Sequence, residues 1–121
     1  MTIKEYFEEL EKAEINKDRV DKLKQIYGCD IPEIVQRIAS YDMDDYFIDE
    51  EIRVLSFNGI IFIDEDLDTR FQDARLIPLM DLMDGDYAVY NCVTSKWNMC
   101  NAYEGVLFNE QDSLENLLQR E

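Results

Sequence analysis

The spacing of apolar residues changes period near residue 41, and that change constrains the fold more than any other feature of the chain. Before it, Ile3, Tyr6, Phe7, Leu10 and Ala13 recur at helical steps. Thr2-Ile3-Lys4-Glu5 forms a capping box, in which the hydroxyl and carboxylate satisfy backbone N–H groups at a helix start. Lys4 with Glu8 and Glu8 with Lys12 are spaced to pair on the wet face. Asn16 to Asp18 breaks the pattern and caps a second helix carrying Val20, Leu23, Ile26 and Tyr27, which Gly28 ends as a left-handed C-cap. Asp30-Ile31-Pro32-Glu33 restarts a third helix through Ile34, Val35 and Ile38, with the proline in its first turn.

Beyond residue 41 the apolar runs are strand-sized and separated by turn signals. Residues 52–56 read as a strand, and Leu76-Ile77-Pro78-Leu79 as a short one with proline near its start or at a sheet edge. Asp84-Gly85-Asp86 turns the chain into 87–93, residues 94–96 turn it into 97–103, and Glu104-Gly105 leads to a last strand at 106–108. Asn109 or Asp112 caps a terminal helix with Leu114, Leu117 and Leu118 facing inward. Asn58-Gly59 before Ile60-Ile61-Phe62-Ile63 reads, on local rules, as a type I′ hairpin turn and a returning strand. The fold class is therefore α+β: N-terminal helices, a central, mainly antiparallel sheet of about 4–6 strands, and a C-terminal helix. A length of 121 residues suits one compact domain over 1–121.

The absence of histidine excludes Ser-His-Asp and Cys-His nucleophile systems, HExxH zinc proteases and the zinc deaminase signature. The cysteines, Cys29, Cys92 and Cys100, are odd in number and include no CxxC pair. Without histidine they suggest neither a disulfide framework nor a zinc site, so free thiols in a reducing cytosol are expected. The opening MTIKEYFEEL is acidic and amphipathic and lacks the apolar core of a signal peptide. No apolar run approaches the roughly 18 residues of a membrane span. These features lead to an expectation of a soluble, cytoplasmic protein.

The 28 acids and 12 bases give a net charge of -16, unevenly spread. Residues 1–41 hold 9 acids and 7 bases, residues 42–86 hold 14 and 3, and residues 87–121 hold 5 and 2. The middle segment alone carries -11. Such a field opposes direct contact with nucleic acid or an anionic membrane. It is either a solvated acidic loop that aids solubility or a surface that attracts a basic protein, raising association rates by roughly 10–1000-fold. Tyr41, Tyr46 and Phe47 lie among these acids and can anchor a partner where charge alone cannot. The candidate partner-binding residues are accordingly Asp44, Asp45, Tyr46, Asp49, Glu50, Glu51, Asp64, Glu65 and Asp66. Trp97 and Tyr103 with their strand neighbours form an alternative surface.

Catalytic signals are weak. Asp64-Glu65-Asp66-Leu67-Asp68 opens like a calcium loop, but Thr69 stands where glycine is needed and Arg75 where glutamate is needed. Asp81, Asp84 and Asp86 surround Gly85, where aspartate is an ordinary turn former; a metal-dependent hydrolase built on them is the remaining enzymatic reading. Neither GxGxxG nor GxxxxGK[ST] occurs. No catalytic residue, metal or cofactor is expected.

Four ordered segments resemble the SUKH superfamily, which includes fungal cell-wall-synthesis regulators and many bacterial immunity proteins. They are Tyr27-Gly28 followed by Ile31-Pro32; Arg53-Val54-Leu55-Ser56; Leu76-Ile77-Pro78-Leu79 with Asp84-Gly85-Asp86-Tyr87; and 97–108 followed by Asp112-Ser113-Leu114. Together they span nearly the whole chain. The resemblance places a short helix, rather than a hairpin strand, after Ser56 and running towards Leu67. It implies a non-enzymatic binding fold, whose bacterial members commonly neutralise a cognate toxin, often a nuclease. The alternative it implies is a regulatory or scaffolding adaptor with no toxin partner.

Overall fold

The structure, a computed structural model, describes residues 1–119. Three helices come first: α1 (Ile3–Glu11), α2 (Lys17–Tyr27) and α3 (Glu33–Ser40). The short strands β1 (Phe47–Ile48) and β2 (Ile52–Val54) follow, then α4 (Phe57–Asp66) and α5 (Arg70–Ala74). The chain continues through β3 (Leu76–Asp81), β4 (Asp86–Asn91), β5 (Lys96–Asn101) and β6 (Val106–Gln111), and α6 (Leu114–Leu118) comes last. The six strands form one antiparallel sheet in sequential order, β1 to β6. The architecture is α+β, with N-terminal helices and a C-terminal helix.

Local chemistry explains most of the boundaries. Thr2 and Glu5 form the reciprocal capping box at both of its bonds, 3.1 Å each. The Asn16 side chain accepts from the Arg19 N–H at 3.2 Å, and Gly28 closes α2 at φ 68°, in the left-handed region where only glycine is unstrained. Pro32 sits at the N-cap of α3, one residue earlier than the first-turn place expected for it. Neither Asn109 nor Asp112 caps the last helix. Ser113 does, accepting from the Asn116 N–H at 3.1 Å, because β6 runs on through Gln111.

The hairpin reading of Asn58-Gly59 is overturned: these residues lie in the first turn of α4. The helical period buries Ile60, Ile63 and Asp64 together and turns Phe62 out to solvent, 66 % exposed. Pro78 is the third residue of its strand, near the start as expected, but the strand is not an edge, since β3 lies between β2 and β4. It is tolerated because β2 ends at Val54, whose partner is Met80, so no ladder bond towards β2 is required of Pro78. A register shift between Pro78 and Met80 against β4 accommodates the ring.

Strands β3, β4 and β5 are buried on both faces, which is why they read as nearly continuous apolar runs. Helices α4 and α5 pack on β3, and α6 packs on β5 and β6. Phe71 of α5 meets Tyr87 edge-on at 5.2 Å between ring centroids. Trp97 is buried against its cross-strand partner Tyr90 at 4.8 Å. It therefore leaves the alternative surface expected from sequence, of which Tyr103 and the β6 neighbours Val106, Leu107 and Phe108 are exposed.

The expectation of three free thiols holds for Cys100 only. Cys29 and Cys92 form a disulfide across 63 residues of sequence, with Cα atoms 5.8 Å apart. Composition gave no sign of it, because the pairing depends on where β4 delivers Cys92. The Arg75 guanidinium reinforces the junction by donating to the carbonyls of Tyr27 (3.3 Å) and Gly28 (2.5 Å). With two thiols oxidised, the argument from free cysteines to a reducing compartment no longer applies.

Candidate partner-binding surface

The acidic middle segment divides into carboxylates that hold the fold and carboxylates that face solvent. Asp44 belongs to the first group. Its Oδ1 accepts from the Ser56 N–H at 2.5 Å and the Gly59 N–H at 3.1 Å, capping α4 from a distant loop. Ser56 stands at the N-cap position but its hydroxyl is turned away, donating towards the carbonyls of Ile38 and Tyr41. Asp44 thus supplies the cap that Ser56 does not.

Asp64 is withdrawn more completely. It is 4 % exposed, and its carboxylate accepts from the Tyr27 hydroxyl at 2.7 Å and the Gln72 N–H at 3.2 Å. Burial first, then the hydrogen bond to Asp64, pushes the Tyr27 hydroxyl far above the ordinary tyrosine range. Its nomination as a partner-binding residue is corrected: Asp64 joins α2 to α4 and α5 from inside. Helical geometry explains this, since it shares the inward face with Ile60 and Ile63. The calcium-like spacing is lost for the same reason, with Asp64 inward, Asp66 outward and Asp68 beyond the helix end at φ 56°.

The other nominated residues are exposed. Asp45 pairs with Arg53 at 3.3 Å, while the second guanidinium nitrogen of Arg53 holds Asp81 at 2.9 Å. Asp49, Glu50 and Glu51 form the tip of the β1–β2 hairpin, where Asp49 and Glu50 adopt φ of 51° and 63°. Glu65 and Asp66 follow Phe62 by three and four residues, so the three share the outer face of α4.

Two clefts flank the loop that carries Asp44 to Tyr46. One, of about 310 Å³, lies between Asp44, Asp45 and Arg53 on one side and Asn58, Phe62 and Ile63 of α4 on the other. The second, of about 380 Å³, places Tyr46 opposite Glu5, Glu8 and Glu9 of α1, with Tyr41 between them. Hydrogen bonds from Lys12 and then from the Tyr41 hydroxyl hold the Glu9 carboxyl below its usual range.

Phe62 and the α1 glutamates were missed in the sequence. Phe62 was hidden inside an apparent β-branched strand, and the glutamates lie in a segment whose net charge is only -2. A helical wheel drawn over 57–66 would have exposed Phe62. No local signal would have brought α1 to Tyr46.

Among the described residues, no group of three or more Cys, Asp and Glu side chains is placed to hold a metal ion. No described helix is long and apolar enough to cross a membrane. The surface offers negative potential around exposed rings, suited to binding cationic side chains by attraction and by contact with aromatic faces. No protein-family model, curated protein or solved structure matches the chain.

Proposed function

We propose that this chain is a non-enzymatic binding module of the immunity type, which neutralises a basic toxin domain acting on nucleic acid. The observation that supports this most is the pair of acid-lined clefts flanking the 44–46 loop, each with an exposed ring, Tyr46 at 54 % and Phe62 at 66 % exposure. Exposed carboxylates steer a cationic partner, and desolvated rings then slow its departure. A nuclease face shaped to meet phosphate presents the complementary charge, and occupying it blocks the substrate. The proposed contact set is Asp45, Tyr46, Asp49, Glu50, Glu51, Phe62, Glu65 and Asp66. The resemblance to SUKH immunity proteins agrees with this role, and the proposed site of action is inside the cell that makes the toxin.

The test is stopped-flow association with the partner recovered from the native cell. Reversing Asp49, Glu50 and Asp66 to lysine should slow association and flatten its salt dependence, with little change in melting temperature. Tyr46→Ala and Phe62→Ala should instead speed dissociation. A partner with an acidic binding face would overturn the proposal.

A further inference from the structure

The two edges of the sheet are treated differently. At one edge, β1 is only two residues long, and the Met1 backbone covers it: the terminal amine donates to the Phe47 carbonyl at 2.9 Å, and the Met1 carbonyl accepts from the Asp49 N–H at 2.8 Å. At the other edge, β6 has six residues and pairs only with β5 among the described strands. Residues Val106 to Glu110 are all exposed, including three consecutive large apolar side chains, Val106 (49 %), Leu107 (42 %) and Phe108 (40 %). A bulge at Asn109 (φ 53°) interrupts the far end of β6, which leaves Val106 to Phe108 as the regular apolar edge open to another strand.

Register shows what lies beside it. Leu107 pairs with Cys100, which pairs with Tyr87, so these three side chains share the sheet face on which Phe71 of α5 packs. On that face, between α5 and the β5–β6 hairpin, is a cleft of about 470 Å³ lined by Phe71, Ala74, Leu76, Cys100, Ala102 and Tyr103. A strand added along Val106 to Phe108, before the bulge at Asn109 (φ 53°), would place alternate side chains on the sheet face that carries this cleft, next to Leu107.

Charge selects the occupant. Arg70 is directed to the backbone carbonyls of Ala102 (2.7 Å) and Tyr103 (3.3 Å), and Lys96 is paired with Asp112. Arg70 lines the cleft together with Asp73 and Glu104, and Glu110 lies on β6 itself. Four carboxylates thus face two cations around the edge, in a chain of net charge -16 that opposes pairing with a second copy of itself. We propose that β6 is a strand-addition site for an extended segment of a partner protein in which apolar residues alternate with lysine or arginine. Backbone bonds to β6 supply affinity, the cleft takes the apolar side chains, and the surrounding carboxylates take the basic ones. The site lies at the opposite sheet edge from the acidic β1–β2 hairpin and does not depend on the toxin-binding reading.

The experiment uses the full chain and an acetylated decapeptide alternating valine and lysine, followed by amide NMR and hydrogen exchange. Saturable shifts and new exchange protection are expected along β6 and not along β1. A valine–glutamate peptide should bind at least about tenfold more weakly, as should the valine–lysine peptide to Leu107→Lys. A backbone N-methylated valine–lysine peptide should not bind, which tests strand pairing even if the Leu107 variant is misfolded. Absence of β6 protection at millimolar peptide, equal binding of the acidic peptide, or dimerisation of the chain through β6 would each overturn the proposal.

Discussion

Replacing Gly59 by alanine tests whether Asp44 is a structural acid. In an ordinary helix this change stabilises by about 1 kcal/mol, since alanine loses less backbone freedom. At position 59 the added Cβ would stand 2.3 Å from Asp44 Oδ1 and 3.3 Å from Leu55 Cδ2. Asp44 cannot yield without releasing the N–H groups of Ser56 and Gly59, which it holds at 2.5 and 3.1 Å. Losing this charged cap costs about 2–3 kcal/mol, so Gly59→Ala should destabilise by about 1–2 kcal/mol net. Asp44→Ala alone should cost about 2–3 kcal/mol, or roughly 6–15 °C in melting temperature for a chain of this size. In the Asp44→Ala background, Gly59→Ala should change sign and stabilise by about 1 kcal/mol. Urea and thermal melts of the four proteins close the cycle, with a coupling of about 2–3 kcal/mol. Were Gly59→Ala to stabilise both backgrounds equally, Asp44 would not be capping α4, and it would return to the surface carboxylates.

Three further outcomes follow from the packing. Denatured without reductant, the protein should expose one reactive thiol, Cys100, and three after reduction; replacing Cys29 and Cys92 by serine should cost about 2–4 kcal/mol through the long loop they close. Tyr6 is fully buried and its hydroxyl has no hydrogen-bond partner among the described residues, so Tyr6→Phe should stabilise by about 1 kcal/mol in urea melts. Burial raises the Tyr6 and Tyr27 hydroxyls far above their unfolded value of about 10, so the native state keeps protons that the unfolded chain releases. Their contribution is therefore complete below about pH 10 and is lost as pH rises further, a decline that Tyr6→Phe should make shallower in alkaline melts.

The helices were legible because their ends are written in side-chain chemistry: the Thr2–Glu5 box, the Asn16 cap and the Gly28 stop all act within a few residues. The β3–β6 meander was legible from its turns. What could not be read locally depended on the assembled sheet. Asn58-Gly59 has the composition of a hairpin turn, yet Asp44, twelve residues before Ser56, provides the cap that lets a helix start there. Pro78 enters an interior strand only because β2 stops short of it. Among the acids, sequence alone could not separate Asp64 from Asp66, since the distinction is a rotation about α4 that buries one and exposes the other. The Cys29–Cys92 bond depends on the approach of two segments with no sequence proximity.

The central claim is that the exposed carboxylates and rings around the 44–46 loop bind a basic, nucleic-acid-acting protein. Its most direct measurement is affinity purification of the chain from its own cell, with the native surface compared against Asp49, Glu50 and Asp66 reversed to lysine. The account predicts one dominant partner, with a strongly basic domain whose activity on nucleic acid is suppressed in the complex, recovered by the native chain and lost by the reversed one. Recovery of the same partner by both forms, or of a partner whose contacting domain is acidic, would contradict it.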